Sequence, residues 1–259
     1  MNALSKTTTN NIIDFRKIKD EFSKQKVELN TNENVDQRRC NKVAGVSSEV
    51  YAFTTQEEIK AMIDVFDKHI KEAPDNDKLW IAQRNKMLFI IGINLGIRAS
   101  DLCELKYNFF IKEDGTFKEH YSLQPKKTKK TKKYVKLFFN EAVKQAIINY
   151  IEECSIDDMN GYLFKSREGD SHITTIHLGR IIKTAAAEAG IDKNICSHTL
   201  RKTFGYWAYH NAQDKNNALI ILQKIYNHSS PAMTSKYIGL TDDEMSDVFN
   251  ELNLGIDFI

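Results

Sequence analysis

Apolar side chains recur every three or four residues through most of the chain, the pattern of helices with one buried face. Ile59, Met62, Ile63, Phe66 and Ile70 mark such a stripe, and Thr55-Gln56-Glu57-Glu58 ahead of them is a capping box. A second helix is predicted over 79–95, with Gly96 as its stop. Ser100 is placed to cap a short helix after it, with Asp101 in the first turn. The pattern then changes to strand-like runs at 107–111, 117–123 and 133–139, and Asp114-Gly115 reads as the turn between the first two. Helices return at 140–150 behind an Asn140 cap, at 176–189 closed by Gly190, at 198–210 capped by Ser197, and at 218–226, 231–237 and 242–252. A short strand is predicted at 161–164. The expected fold class is mostly α with one small antiparallel β-sheet.

The first fifty residues differ from the rest. Thr7-Thr8-Thr9-Asn10-Asn11 and Asn30-Thr31-Asn32-Glu33-Asn34 are polar and loop-like, while Ile12, Phe15, Ile18 and Phe22 fall at helical spacing between them. A helix this short needs another surface to pack on, either the main domain or a partner subunit. The expected organisation is a polar segment over 1–50 and a main domain over 51–259.

Composition narrows the picture without naming a function. The 259 residues are 41% hydrophobic and 28% charged, enough for a sizeable core, and the net charge is only +2. The charge is patterned instead. Between 126 and 136 stand seven lysines and no acid, at Lys126, Lys127, Lys129, Lys130, Lys132, Lys133 and Lys136. A run of this kind is a solvated face or a phosphate-binding hairpin. Its place between two strand-like runs favours the hairpin, whose grip on DNA would weaken steeply with salt. Cys40, Cys103, Cys154 and Cys196 are scattered with no paired spacing, which argues against a zinc site and for reduced thiols in a cytoplasmic protein. No apolar run approaches a membrane span, and no phosphate-binding glycine loop of the ATPase type is present.

The chemistry sits in three segments. Gly96-Ile97-Arg98-Ala99-Ser100-Asp101-Leu102 supplies one arginine, and His198-Thr199-Leu200-Arg201 supplies a histidine and a second arginine one helical turn apart. Asn227-His228-Ser229-Ser230 is followed by Tyr237, nine residues beyond the histidine. Arginine forks match phosphate oxygens two at a time. Imidazoles exchange protons near neutral pH, and a tyrosine hydroxyl can form a covalent phosphotyrosine. Each segment alone is a weak signal; their order and spacing together are not. Tyr226, Tyr206 and Tyr209 compete with Tyr237 as nucleophile on residue type alone, and the cluster of Phe204, Tyr206 and Trp207 reads as core.

In that order and spacing the chain resembles the tyrosine recombinase (phage integrase) family over about residues 53–249, with Asn227 where the family usually has Gly. The resemblance implies the family's catalytic-domain fold and breakage and rejoining of DNA strands without cofactor or metal. It implies that Arg98 and Arg201 clamp the scissile phosphate, that Tyr237 attacks it to give a 3′-phosphotyrosine, and that His198 acts as acid or base. His228 would donate a hydrogen bond to the phosphate, and Asp101 would support the first arginine. The family's hairpin lysine is expected at Lys127, with Lys126 and Lys129 as competitors, and Lys126, Lys129, Lys130, Lys132 and Lys133 as DNA contacts. The implied partner is double-stranded DNA held by a homo-oligomer of four protomers, with no membrane and no small-molecule substrate. The segment 242–259 is the candidate for passage to a neighbouring protomer. Only about fifty residues precede the resemblance, where many family members carry a further helical DNA-binding domain. A short recombinase, a fragment, and a DNA-binding relative without full recombination are all compatible with that. Two rival functions stand beside the recombinase: a non-catalytic DNA-binding regulator, and a relaxing enzyme of the type IB topoisomerase kind.

Overall fold

A computed structural model describes residues 50–127, 134–154 and 158–240. The predicted helices at 12–22 and 242–252 therefore lie outside the described residues, as do Lys129, Lys130, Lys132 and Lys133. Helix α1 (Gln56–Lys71) starts at Thr55, whose hydroxyl accepts the Glu58 N–H while the Glu58 carboxylate accepts the Thr54 N–H. Helix α2 (Asn76–Leu95) begins three residues earlier than expected, because the Asp75 carboxylate caps it at the Lys78 N–H. Met87, Leu88, Phe89, Ile91 and Leu95 bury nearly the whole circumference of its second half. It is the central helix of the domain, enclosed by α1, α5 (Glu141–Glu153) and α7 (Ser197–His210).

Between them come α3 (Ala99–Cys103), α4 (Tyr107–Phe110) and the antiparallel pair β1 (His120–Leu123) and β2 (Val135–Phe138), in the register His120↔Phe138 to Leu123↔Val135. Helices α6 (Thr175–Glu188), α8 (Lys215–Tyr226) and α9 (Pro231–Ile238) complete the described chain. The fold is mostly helical with one small antiparallel sheet, as the hydrophobic pattern predicts.

Four local expectations are corrected. Residues 107–111 are not a strand: Tyr107 and Phe110 are both buried, and one helical turn puts positions three apart on the same face where a strand would split them. Only the bridge Ile111↔Phe117 remains of the expected third strand, and Tyr162 makes a single bridge to Lys106 in place of a strand at 161–164. Arg98, not Ser100, occupies the N-cap of α3. Cys196, not Ser197, caps α7, and its N–H donates to the Thr199 hydroxyl.

The core has two parts. The larger runs from Phe53 to Leu200 and includes Phe66, Phe89, Phe110, Ile147, Phe164 and Ile182. The smaller is built from Tyr209, Leu222, Tyr226, Ile238 and Leu240, with Phe204 and Tyr237 packed against it. Helix α7 joins them, and the segment before α1 is strapped to it: Phe53 donates its N–H to Thr203 Oγ1 at 2.9 Å, and Trp207 Nε1–H donates to the Phe53 carbonyl at 2.9 Å.

Gly205 marks the closest approach of α7 to α8 and α9. A Cβ there would lie 2.4 Å from the Tyr226 hydroxyl and 2.5 Å from Ile238 Cγ2. The expected outcome for Gly205→Ala is a loss of about 1–3 kcal/mol in stability from overpacking, read by denaturant unfolding monitored by circular dichroism. A variant as stable as the parent would contradict this packing.

Candidate active site

Gly96 turns the chain at the end of α2 with φ 60°, a left-handed conformation that glycine adopts without strain. The next two residues carry the chain out to Arg98, whose carbonyl accepts the N–H groups of Asp101 and Leu102 in α3. Arg201 rises from the first turns of α7 and is buried. Its Nη1 donates to the Gly96 carbonyl at 2.7 Å and its Nη2 to the Tyr226 carbonyl at 3.2 Å. Arg98 Nη2 donates to that same Tyr226 oxygen at 3.3 Å. Residues more than a hundred positions apart therefore bring two guanidinium groups onto one neutral acceptor.

Tyr226 fixes that acceptor in three ways. Its ring lies 4.2 Å under the Arg201 guanidinium carbon, its hydroxyl donates to the Arg201 carbonyl at 2.6 Å, and its own carbonyl receives both arginines. The side chain is fully buried, and burial drives its pKa upward. A phenol held this way is a structural pillar, which removes Tyr226 from the candidate nucleophiles.

Asn227 follows at φ 53° and ψ 47°, the left-handed C-cap of α8. This explains the departure from the family's usual glycine: the turn needs a left-handed residue, and asparagine is among the few others that tolerate it. His228 comes next, its Nδ1 3.0 Å from Thr234 Oγ1. Thr234 is completely buried and lies one turn before Tyr237 on α9. Its spacing, six residues after the histidine and three before the tyrosine, is the sequence signal that would have found it.

Tyr237 packs against both neighbours, with ring centroids 5.3 Å from His228 and 5.3 Å from Tyr226, and the Lys202 ammonium lies 5.5 Å over its ring. Its hydroxyl is buried beside the Arg201 guanidinium and has no well-formed hydrogen-bond partner among the described residues. A buried hydroxyl without a partner costs about 1–3 kcal/mol. Burial raises the Tyr237 pKa, while the charge of Arg201, and more weakly that of Arg98, favours the phenolate. The tyrosine thus shares a site with the two arginines of its own chain.

The histidines feel the same field. Burial first, and then Arg201 and Arg98, depress the pKa of His228. His198, exposed at the rim, is pushed down by the covered side of its ring and then by Arg201, Arg98 and Lys202. Burial likewise lowers the pKa of Arg201, and Arg98 adds to it. Asp101 is the nearby counter-charge: its buried carboxylate accepts the Lys126 N–H at 3.0 Å, so it ties the entry of the lysine run to the helix that starts at Arg98. Lys126 and Lys127 are both exposed there, and the Lys126 ammonium pairs with Glu104.

Among the described residues no group of three or more His, Cys, Asp or Glu could hold a metal ion, and no helix is long and apolar enough to cross a membrane. The arrangement brings together two guanidinium groups, a covered hydroxyl and two imidazoles whose pKa values are lowered.

Comparison with known proteins agrees. The model of the phage integrase family matches residues 52–244. A probable integrase/recombinase of Bacillus subtilis (strain 168), YoeC, is 39% identical over 169 residues, covering 64% of this chain and 84% of that protein. A tyrosine recombinase of Pseudothermotoga lettingae is 31% identical over 170 residues, covering 66% of this chain but only 54% of that protein. The crystal structure of XerA recombinase superposes with a TM-score of 0.57 at 21% identity, over 81% of this chain and 66% of that one. XerH site-specific recombinase bound to a palindromic difH substrate does so with a TM-score of 0.56 at 19% identity, over 82% of this chain and 55% of that one. With its helices, small sheet and clustered site residues in that arrangement, the chain belongs to the phage integrase family of tyrosine-type site-specific recombinases and has their catalytic-domain fold.

Proposed function

We propose that this chain binds double-stranded DNA and breaks and rejoins its strands through a 3′-phosphotyrosine. The observation that carries the reading is the meeting of Arg98 and Arg201 at one oxygen beside the covered hydroxyl of Tyr237. Phosphoryl transfer is governed by positioning and charge stabilisation. A phosphate entering this pocket takes the arginines' remaining donors on its non-bridging oxygens and offsets the repulsion between them. The Tyr237 oxygen attacks phosphorus, and its proton passes to His198, which is held neutral and ready to accept. The bond to the 5′-oxygen breaks, and Lys127 protonates that oxygen as it leaves. With Nδ1 engaged by Thr234, His228 has Nε2 for the phosphate. A 5′-hydroxyl from a second strand reverses these steps. The bond energy is retained in the phosphotyrosine, so no ATP is consumed. Lys126, Lys129, Lys130, Lys132 and Lys133 supply backbone contacts to DNA, a tetramer of this chain holds two duplexes, and the protein works in the cytoplasm.

The test is covalent capture. The intact chain is incubated with a library of nicked random-sequence duplexes, and DNA that stays attached to protein under denaturing conditions is sequenced. Adducts that share a sequence are expected from the parent, none from Tyr237→Phe, and cleavage at least about 100-fold slower with most binding retained from Arg201→Ala. Tight binding by the parent without any adduct would instead make it a non-catalytic regulator. Adducts without a shared sequence, with relaxation of supercoiled DNA, would make it a topoisomerase-like enzyme.

The lowered histidine pKa values predict how stability varies with pH. Below the ordinary histidine value near 6.5, the unfolded chain binds protons that the native His198 and His228 resist. Stability therefore falls as pH drops through that value. The thermal midpoint, measured from pH 7 to pH 5, should decline in the parent and decline less in His228→Gln. Equal slopes for the two proteins would rule out a buried, cation-facing His228.

A further inference from the structure

Lys126 is tied to the turn that follows Arg98 at two points. Its main-chain N–H donates to Asp101 Oδ1 at 3.0 Å, and its ammonium is paired with Glu104 Oε1. Asp101 lies in the middle of α3 and Glu104, three residues on, is its C-cap, so both face the same side. Glu104 is itself held. Its Oε1 lies 3.3 Å from His172 Nε2, while His172 Nδ1 is 2.7 Å from the Ile173 carbonyl and the imidazole sits edge-on to Tyr162 at 5.0 Å. Asp101, Glu104, Lys126 and Tyr162 line a cleft of about 410 Å³, together with Tyr121 of β1.

Lys126 and Lys127 form a short 3₁₀ turn. Successive side chains in such a turn point about 120° apart. Holding Lys126 against α3 therefore sends Lys127 in a different direction, at a fixed register. A lysine whose ammonium is engaged by an oriented carboxylate is poorly placed to give its proton to a DNA oxygen; its neighbour is not so engaged by Glu104.

We propose that Glu104 is a positioning residue for strand cleavage: by holding Lys126 against the Arg98 helix, it sets the register in which Lys127 meets the leaving 5′-oxygen. The proposal rests on the cleavage reading above and removes Lys126 from the candidates for the acid. In the step itself the Tyr237 oxygen–phosphorus bond forms and the phosphorus–5′-oxygen bond breaks. The electron pair goes to the 5′-oxygen, and the proton it takes comes from Lys127. Glu104 exchanges no proton and touches no DNA.

The test uses the full chain and the duplex recovered by covalent capture, made in two forms with oxygen or sulfur at the leaving 5′ position. A thiolate leaves without needing a proton, so the sulfur form bypasses the lysine. Glu104→Ala is expected to slow single-turnover cleavage of the oxygen duplex about 10- to 100-fold, the size of effect that a misplacement near 1 Å produces. It should leave the sulfur duplex at the parental rate. With protein in saturating excess, so that loss of a backbone contact does not enter the cleavage rate of the bound duplex, Lys126→Ala should show the same split, and the double variant should be no slower than either single one, since both remove one contact. Lys127→Ala should lose more than either on oxygen and be rescued equally by sulfur. Glu104→Gln keeps the shape and drops the charge; it should show the same split at smaller size, and it carries the comparison if the alanine variant folds poorly. The proposal is overturned if Glu104→Ala cleaves the oxygen duplex at or above the parental rate, which would make Lys126 the restrained acid. Equal slowing on both duplexes also overturns it, since that marks a general structural defect. A parent that forms no adduct with the sulfur duplex defeats the cleavage reading itself, and the positioning role with it.

Discussion

The carbonyl oxygen of Tyr226 accepts hydrogen bonds from two arginines that belong to different parts of the chain. Bringing like charges onto one neutral atom is unfavourable, and Arg201 is buried as well. The fold sustains the arrangement because Tyr226 cannot move. Its ring is wedged beneath the guanidinium, its hydroxyl is engaged by the Arg201 backbone, and Gly205 leaves just enough room for it. The end of α8, the start of α7 and the turn after α2 are registered against one another through this residue. Its hydroxyl is committed to the Arg201 carbonyl, and the placing of the two arginines depends on its backbone oxygen.

The consequences spread outward as electrostatics. The field of Arg201 and Arg98, joined at His198 by Lys202, adds to the larger effect of burial in lowering the pKa of both imidazoles. It also counteracts the effect of burial on Tyr237. An arriving phosphodiester would supply the missing negative charge to all of these groups at once. The same acid that neighbours Arg201 also receives the Lys126 backbone, so the arginine pair and the start of the lysine run share a support although they are separate in sequence.

The helical framework was legible because it rests on spacing: the stripe from Ile59 to Ile70, the stop at Gly96 and the polar caps at Thr55 and Asn140 are local signals. The meeting of Arg98, Arg201, His228 and Tyr237 was legible only through motif order, since no local rule places residues 98 and 201 together. Residues 107–111 misled because aromatic side chains favour strands on average, whereas here Tyr107 and Phe110 both needed the same buried side. The cap at Cys196 was missed because a thiol is a weak acceptor and the neighbouring serine is the more usual choice. The pillar role of Tyr226 could not be read, since its decisive contact is made by a backbone oxygen, which leaves no mark on residue identity. Thr234 could have been found from its spacing on α9.

The division of the interior into a large and a small apolar cluster has a further consequence. Tyr237 packs on the small one, made of Tyr209, Leu222, Tyr226, Ile238 and Leu240, while Arg98 emerges beside the large one. The small cluster gives these residues less apolar packing to hold them than the large one gives its own, and local opening costs least where such packing is least. Tyr237 and the Tyr226 carbonyl that both arginines share thus rest on the same small cluster, so a loss of packing there would disturb the hydroxyl and the arginine pair together.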